Sequence, residues 1–140
     1  MDPQLAAWLV SPEAEPALVA AAAQPDPDSV AAAQRLRREF PPDQAAAALT
    51  QTALRRKAVA KFGERAGRIF FTAAGLEQAT RAEVAGWRAS RFVAAGATRV
   101  VDLGCGLGAD ALAFADAGLD VVAVDADPVT AVFASANLGR

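Results

Sequence analysis

The 140-residue sequence contains no histidine and a single cysteine, Cys105. One cysteine excludes an internal disulfide, and without histidine a metal site would need carboxylates alone, so zinc chemistry and histidine-based acid–base catalysis are not expected. No apolar run approaches the roughly 18 residues of a membrane span, and the start of the chain lacks the basic region of a signal peptide. We therefore expect a cytoplasmic protein that uses neither a membrane nor a metal.

Charge is distributed unevenly along the chain, although the net charge is only −2. Residues 1–34 carry five acidic and no basic side chains, residues 35–99 carry thirteen basic against five acidic ones, and residues 100–140 carry one basic against six acidic ones. The basic middle segment, 35–99, predicts a surface that faces a polyanion such as RNA. A solvated helix surface would explain the same charges.

Helix signals fill the first 62 residues. A capping side chain stands directly before proline at Asp2-Pro3 and at Ser11-Pro12, which is the preferred order at a helix start. Asp28 or Ser29 can cap a third helix. The predicted helices span about 3–9, 12–22, 29–38 and 42–62, and Gly63 ends the last one.

The remainder of the chain predicts one more helix and then an alternation of strands and helices. Thr80-Arg81-Ala82-Glu83 fits a capping box, which would start a helix that runs to about Gly96. We expect that helix to bury its large side chains, namely Val84, Trp87, the stem of Arg88, and Phe92 or Val93. The pattern then predicts strands over about 99–103 and 120–124 and helices over about 108–117 and 128–138.

The segment Val100–Pro128 carries the chemistry: VVDLGCGLGADALAFADAGLDVVAVDADP. A short apolar run ends at Asp102, a loop with three glycines follows, and a second apolar run ends at Asp125, as in the nucleotide-binding half of a βαβ unit. Glycines let a backbone approach a ligand closely, and the first amides of the next helix offer positive potential. The glycine spacing alone also satisfies the dinucleotide pattern G-x-G-x-x-A.

The two carboxylates at the strand ends favour one ligand over another. Asp102 would repel a pyrophosphate but suits a ligand with an ammonium and a sulfonium, such as S-adenosylmethionine. Asp125 can accept hydrogen bonds from both hydroxyls of a ribose. Structural alternatives remain: Asp102 could accept bonds from loop amides, Asp110 could serve only the helix dipole, and Cys105 is interpreted as a small loop side chain.

With these residues in place, Val100–Asn137 resembles motif I and the following motif of class I S-adenosylmethionine-dependent methyltransferases. The segment Leu76–Ala85, followed by Asp102–Gly108, is similar to the trimethylguanosine synthase group of RNA guanine-N2 methyltransferases and to its THUMP-like bacterial relatives. The resemblance implies S-adenosylmethionine as cofactor and RNA as substrate, reached through the basic segment. It assigns cofactor contacts to Gln78, Thr80, Asp102, Gly104, Cys105, Gly106, Gly108, Asp125 and Ala126.

The same resemblance shows what the sequence does not contain. Those enzymes hold the target amine with an Asn/Asp-Pro-Pro-aromatic motif and have a seven-stranded sheet. We therefore expect an α/β chain in which an all-α region, 1–62, precedes an incomplete methyltransferase domain, 63–140. This domain would be a truncated Rossmann-like fold with the first two parallel strands only, without catalytic residues and inactive alone.

Two other functions stay open at this point. One is an NAD-type oxidoreductase half-domain, which Asp102 disfavours. The other is a non-catalytic helical module that binds RNA or protein. In each case the strands would leave pairing edges exposed, which predicts association or aggregation.

Overall fold

The structure, a computed structural model, describes residues 1–139. Within this range the chain forms eight α-helices and a sheet of two strands. Short 3₁₀ turns at Pro12–Ala14 and Gly63–Gly67 join some of the helices. The elements are α1 (Pro3–Val10), α2 (Glu15–Ala22), α3 (Val30–Leu36), α4 (Pro42–Phe62), α5 (Ala73–Gln78), α6 (Ala82–Ala94), β1 (Arg99–Leu103), α7 (Ala109–Asp116), β2 (Asp120–Val124) and α8 (Pro128–Leu138).

Three of the predicted helix starts are confirmed by their caps. The side chains of Asp2, Ser29 and Asp127 each accept a hydrogen bond from a backbone N–H of the first turn of α1, α3 and α8. The predicted cap at Ser11 is wrong. Its hydroxyl donates backwards to the carbonyl of Trp8 at 2.7 Å, and the chain continues into the 3₁₀ turn that precedes α2.

The sheet consists of two parallel strands joined by the helix α7. The register pairs Arg99 with Asp120 and Leu103 with Val124, so both strands end at the same edge. The predicted α/β class and both strand ranges are confirmed. One face of the sheet is uncovered, because Leu103 is 77 % exposed and its neighbours on that face are also exposed. The uncovered apolar side chains are Val101, Leu103, Val122 and Val124.

The main hydrophobic core joins the helical region to the α/β region. It runs from α1 and α2 through α4 to Phe70 and Phe71, and on to Leu107 and Phe133. The ring of Phe70 stacks on that of Phe133 at 5.7 Å between centroids. A smaller cluster of Ala89, Val100, Phe114 and Leu119 lies between α6 and the sheet.

Two buried amide side chains hold the extended segment at Phe70 and Phe71. Gln51 of α4 accepts a hydrogen bond from the N–H of Phe71 at 3.0 Å and donates to its carbonyl at 2.6 Å. Asn137 of α8 does the same for Phe70, at 2.8 and 3.1 Å. Each amide pairs with a backbone as a neighbouring strand would, so the segment crosses the core with these groups satisfied.

The predicted burial of the large side chains of α6 is wrong. Ala85 and Ala89 are the buried residues of this helix, whereas Val84, Trp87, Arg88, Phe92 and Val93 are all exposed. The helix packs against α7 through its small residues, which permits close approach of the two backbones. The large side chains flank this contact, and of these only the ring of Phe92 meets an aromatic partner, Phe114, within residues 1–139.

The predicted capping box at Thr80 is also wrong. The N-cap of α6 is Arg81, and no side chain caps that helix. Thr80 donates its hydroxyl to Asp110 instead, as described below. The helix α5 was not predicted from the sequence; it begins where Thr72 accepts a hydrogen bond from the N–H of Gly75.

Within residues 1–139, no helix combines the length and apolar character needed to cross a bilayer. In the same range, no group of three or more acidic or cysteine side chains is placed to hold a metal ion.

Candidate cofactor site

The glycine loop connects β1 to α7 in a conformation that requires glycine. Gly104, Gly106 and Gly108 have φ angles of 74°, 56° and 84°, in the left-handed region that other residues rarely adopt. The N–H groups of Gly104 and Cys105 both donate to the carbonyl of Val124, at 2.8 and 3.0 Å. The loop therefore folds over the carboxyl ends of both strands.

Asp125 fixes this loop from the end of β2. One carboxylate oxygen accepts a hydrogen bond from the N–H of Gly106 at 2.9 Å, and the other accepts one from the N–H of Asp127 at 3.0 Å. A carboxylate offers about four acceptor sites, so lone pairs remain for further donors. Asn137 of α8 also holds the loop, because its side-chain amide donates a hydrogen bond to the carbonyl of Leu107 at 3.0 Å.

Asp102 lies at the end of β1 with an unsatisfied carboxylate oxygen. Its Oδ2 is buried and has no hydrogen-bond partner among residues 1–139. The alternative that Asp102 accepts bonds from loop amides is therefore wrong, and Asp125 makes the bond to the loop. Burial raises the pKa of Asp102, nearby Asp110 raises it further, and Arg88 opposes the rise. An unpaired buried carboxylate is costly unless a cation reaches it.

Cys105 fits the interpretation of a small loop side chain. Burial raises the pKa of its thiol, and the negative charges of Asp102 and Asp125 raise it further. The thiol thus stays protonated at neutral pH, which disfavours a nucleophilic role.

Thr80, Asp110 and Arg88 form a hydrogen-bonded group beside the loop. The hydroxyl of Thr80 donates to Asp110 Oδ2 at 2.6 Å. Arg88 Nη1 donates to both carboxylate oxygens of Asp110, at 2.8 and 3.0 Å, and lies 3.3 Å from the hydroxyl of Thr80. Asp110 therefore does more than interact with the helix dipole of α7, because its hydrogen bonds with Arg88 join α7 to α6.

A cavity of about 180 Å³ opens between the glycine loop and the end of α5. This volume is below the roughly 300 Å³ at which pockets for whole drug-sized ligands begin, so it suits one end of a larger molecule. A methyl group added at Gly104 or Gly106 would meet nothing within 4 Å. The cavity is lined by Gly75, Gln78, Ala79, Thr80, Gly104, Cys105, Gly106, Leu107, Ala109 and Asp110.

Two contacts position α5 at this cavity. A side chain at Gly75 would lie 2.7 Å from Leu107, so the absence of a side chain lets the helix rest on the glycine loop. Lys61 of α4 donates to the carbonyls of Leu76 and Glu77, both at 2.7 Å, and so satisfies the carboxyl end of α5.

The structure brings part of the predicted site residues together. Gln78, Thr80, Gly104, Cys105 and Gly106 line this cavity, whereas Asp102 and Asp125 are not among its lining residues. Gly108 instead starts α7 and faces Ala134, and Ala126 is exposed in the turn after Asp125. The sequence motifs did not assign Arg88, Gly75 or Leu107 to the site. No local pattern points to Arg88, because side chains that meet on a helix are three or four residues apart, whereas Thr80 precedes α6 and lies eight residues before Arg88.

Much of the positive charge of segment 35–99 is engaged within the fold. Arg56 donates to the carbonyls of Ala22, Gln24 and Pro25 at the end of α2. Other basic side chains pair with Asp116, Asp110 and Asp120. Within residues 1–139, the basic side chains of this segment without an intramolecular partner are Arg37, Arg38, Lys57, Arg68 and Arg81.

Comparison with known proteins yields a match for the helical region. The family model of a domain of unknown function (DUF8688) matches residues 2–58. That range covers α1, α2, α3 and most of α4, and it stops before the glycine loop. No curated protein and no solved structure matches the chain.

Proposed function

We propose that the glycine loop, Asp102 and Asp125 bind S-adenosylmethionine, and that the chain is the cofactor-binding part of a methyltransferase. The observation that carries the proposal is the buried Oδ2 of Asp102, which has no hydrogen-bond partner in the described part of the chain. A ligand that brings an ammonium group to this oxygen would remove the cost of its burial. A dinucleotide would bring a pyrophosphate to the same place and increase that cost.

The remaining residues fit the other parts of this ligand. Gln78, Thr80 and the loop residues line a cavity of about 180 Å³, where we place the amino-acid end of the ligand. Asp125 keeps acceptor sites for ribose hydroxyls while it holds Gly106. When bound, S-adenosylmethionine supplies an electrophilic methyl group, and this chain's residues would bind and orient it.

The proposed acceptor is RNA, and guanine N2 is the atom that the family resemblance implies. The fold supports this acceptor with five basic side chains that have no intramolecular partner among residues 1–139. Arg37 and Arg38 lie together after α3, and Lys57, Arg68 and Arg81 are also exposed. Binding of a structured RNA should weaken with salt, with a slope of at most about five in a double-logarithmic plot if each cation contacts one phosphate.

Calorimetry on the whole chain tests the cofactor. We expect S-adenosylhomocysteine to bind and NADH to show no heat of binding. Asp102→Asn should weaken the binding of S-adenosylhomocysteine by at least about tenfold, because a charge-assisted hydrogen bond is lost. The matched control is Asp120→Asn, at the opposite end of the strands, where the carboxylate is exposed and paired with Arg99.

Two results would contradict the proposal. One is equal binding of NADH and S-adenosylhomocysteine, which would favour the oxidoreductase alternative. The other is unchanged affinity in Asp102→Asn, which would remove the carboxylate from the site. The variant should fold, since Oδ2 of Asp102 makes no hydrogen bond to residues 1–139 that asparagine would lose.

A further inference from the structure

Arg88 stands beside the proposed site with most of its donors unused. Its Nη1 donates to Asp110 and approaches Thr80, and both of these residues line the cavity. A guanidinium carries five N–H donors on three nitrogens. Among residues 1–139, Nε and Nη2 of Arg88 have no hydrogen-bond acceptor.

The position of the guanidinium is fixed although the side chain is half exposed. Both carboxylate oxygens of Asp110 accept hydrogen bonds from Nη1, and the hydroxyl of Thr80, in the segment between α5 and α6, also donates to Asp110. Arginine loses less conformational freedom per additional bond when its planar fork is already oriented. The free edge of this fork is therefore prepared for a planar, bidentate anion such as a carboxylate.

The charges beside the cavity match a zwitterion. Asp102 does not line the cavity, but its buried Oδ2 has no hydrogen-bond partner among residues 1–139, and Asp110, which does line it, is paired with Arg88. An α-amino acid end carries one ammonium and one carboxylate, so it needs an anion and donors at separate points. Asp102 on β1 and Arg88 on α6 lie on different elements, and Asp110 on α7 bonds to Arg88 while its charge acts on Asp102.

We propose that Arg88 binds the α-carboxylate of the ligand while Asp102 receives its α-ammonium, so that the site selects ligands with an intact amino-acid end. This inference rests on the proposed function. It makes Arg88 a specificity-determining residue that accepts an S-adenosyl amino acid and disfavours the corresponding decarboxylated amine.

Calorimetry with three ligands tests this selection on the whole chain. The ligands are S-adenosylhomocysteine, its decarboxylated analogue, and 5′-methylthioadenosine, which lacks the amino-acid end. For the unaltered chain, we expect loss of the carboxylate to weaken binding by about tenfold to a hundredfold, the range for hydrogen bonds to a charged group. Arg88→Met should weaken the binding of S-adenosylhomocysteine by the same factor.

The decisive comparison is the response of each ligand to Arg88→Met. We expect the decarboxylated analogue to bind Arg88→Met at least as tightly as the unaltered chain, because Asp110 then adds negative charge near the ammonium. Binding of 5′-methylthioadenosine should not change. The affinity of Arg88→Lys for S-adenosylhomocysteine should lie between those of the unaltered chain and of Arg88→Met, since lysine keeps the charge of arginine but not its planar fork. Arg91→Met is the matched control on the same helix, where the guanidinium lies over the ring of Trp87.

The inference is overturned if Arg88→Met weakens the binding of S-adenosylhomocysteine and of its decarboxylated analogue equally, because Arg88 would then act only by holding Asp110. It is also overturned if Arg88→Met changes neither affinity while Asp102→Asn abolishes binding, a result that leaves the proposed function standing. Absence of S-adenosylhomocysteine binding to the unaltered chain would overturn both.

Discussion

The carboxylate of Asp125 accepts a hydrogen bond from the backbone N–H of Gly106 at 2.9 Å. A residue at the end of β2 thereby fixes the loop that follows β1, and its second oxygen orders the turn into α8 through Asp127. The residue proposed to bind ribose thus also shapes the loop proposed to bind the methionine end. Structure and ligand binding are coupled at this side chain.

This coupling predicts that Asp125→Ala destabilises the chain even without ligand. Two charge-assisted hydrogen bonds to backbone amides are lost, so we expect the free energy of unfolding to decrease by about 1–3 kcal/mol, a modest amount because the site is partly open to solvent. Urea denaturation followed by circular dichroism measures this free energy. Asp120→Ala, which removes an exposed ion pair with Arg99, should cost less than about 1 kcal/mol. Equal effects would contradict the coupling.

The amide of Gln51 predicts a second stability effect. Gln51→Leu leaves the N–H and carbonyl of Phe71 buried without a partner, which should cost about 2 kcal/mol or more. Gln44→Leu makes the same change on the same helix at a side chain that has no hydrogen bond within residues 1–139. Its unfolding free energy should therefore change little. Comparable losses in both variants would show that the contact to Phe71 is not stabilising.

The raised pKa of Asp102 predicts a specific pH dependence. Burial, with Asp110 adding to it and Arg88 opposing it, makes the folded chain hold the proton of Asp102 more tightly than the unfolded chain does. Between the ordinary and the raised pKa the folded state binds more protons, so this group's contribution to stability falls as pH rises through that window. Asp102→Asn should therefore stabilise the ligand-free chain at pH 7.

Thermal unfolding at several pH values checks this expectation. The gain in Tm of Asp102→Asn should be largest at neutral pH and should vanish at acid pH, where Asp102 is protonated in both states. Asp127 is a useful contrast, because hydrogen bonds from Thr130 lower its pKa and its stabilising effect is lost on acidification. Lower stability of Asp102→Asn at pH 7 would contradict the assignment of an unpaired carboxylate.

The uncovered face of the sheet predicts self-association. Leu103 and Val124 are directly paired and both exposed, next to Val101 and Val122. Contiguous apolar surface of this kind drives association. We expect sedimentation to show mass that rises with protein concentration, and the double variant Leu103→Thr, Val124→Thr to reduce it. Val30→Thr is the control, since Val30 is as exposed but lies alone on α3. A monomer at all concentrations would contradict this prediction.

Local sequence signals predicted most of the secondary structure. They failed where contacts between elements determine which side chains are buried. The strands at 99–103 and 120–124 were located because an apolar run bounded by glycine has few alternatives. The position of α6 was predicted correctly, but its buried face was not, because the helix packs against α7 with Ala85 and Ala89 as its buried residues.

For the site, the sequence placed the glycine loop and the two strand-end carboxylates, because their spacing is a local property of the βαβ unit. The roles of neighbouring polar groups depended on long-range contacts. Thr80 has the pattern of a helix cap, yet Asp110 lies thirty residues later and takes its hydroxyl. Since a cap contributes only about 1 kcal/mol, a short bond to a carboxylate can replace it.

The sequence by itself determined the α/β order, the glycine conformations of the loop and the presence of carboxylates at both strand ends. These follow from local sterics and from the periodicity of apolar residues. The tertiary structure alone decided that Asp125 holds the loop, that Oδ2 of Asp102 has no hydrogen-bond partner among residues 1–139, and that Arg88 pairs with Asp110. Hydrogen-bond partners far apart in sequence meet only through the packing of α6 and α8 around the sheet, which local patterns do not encode.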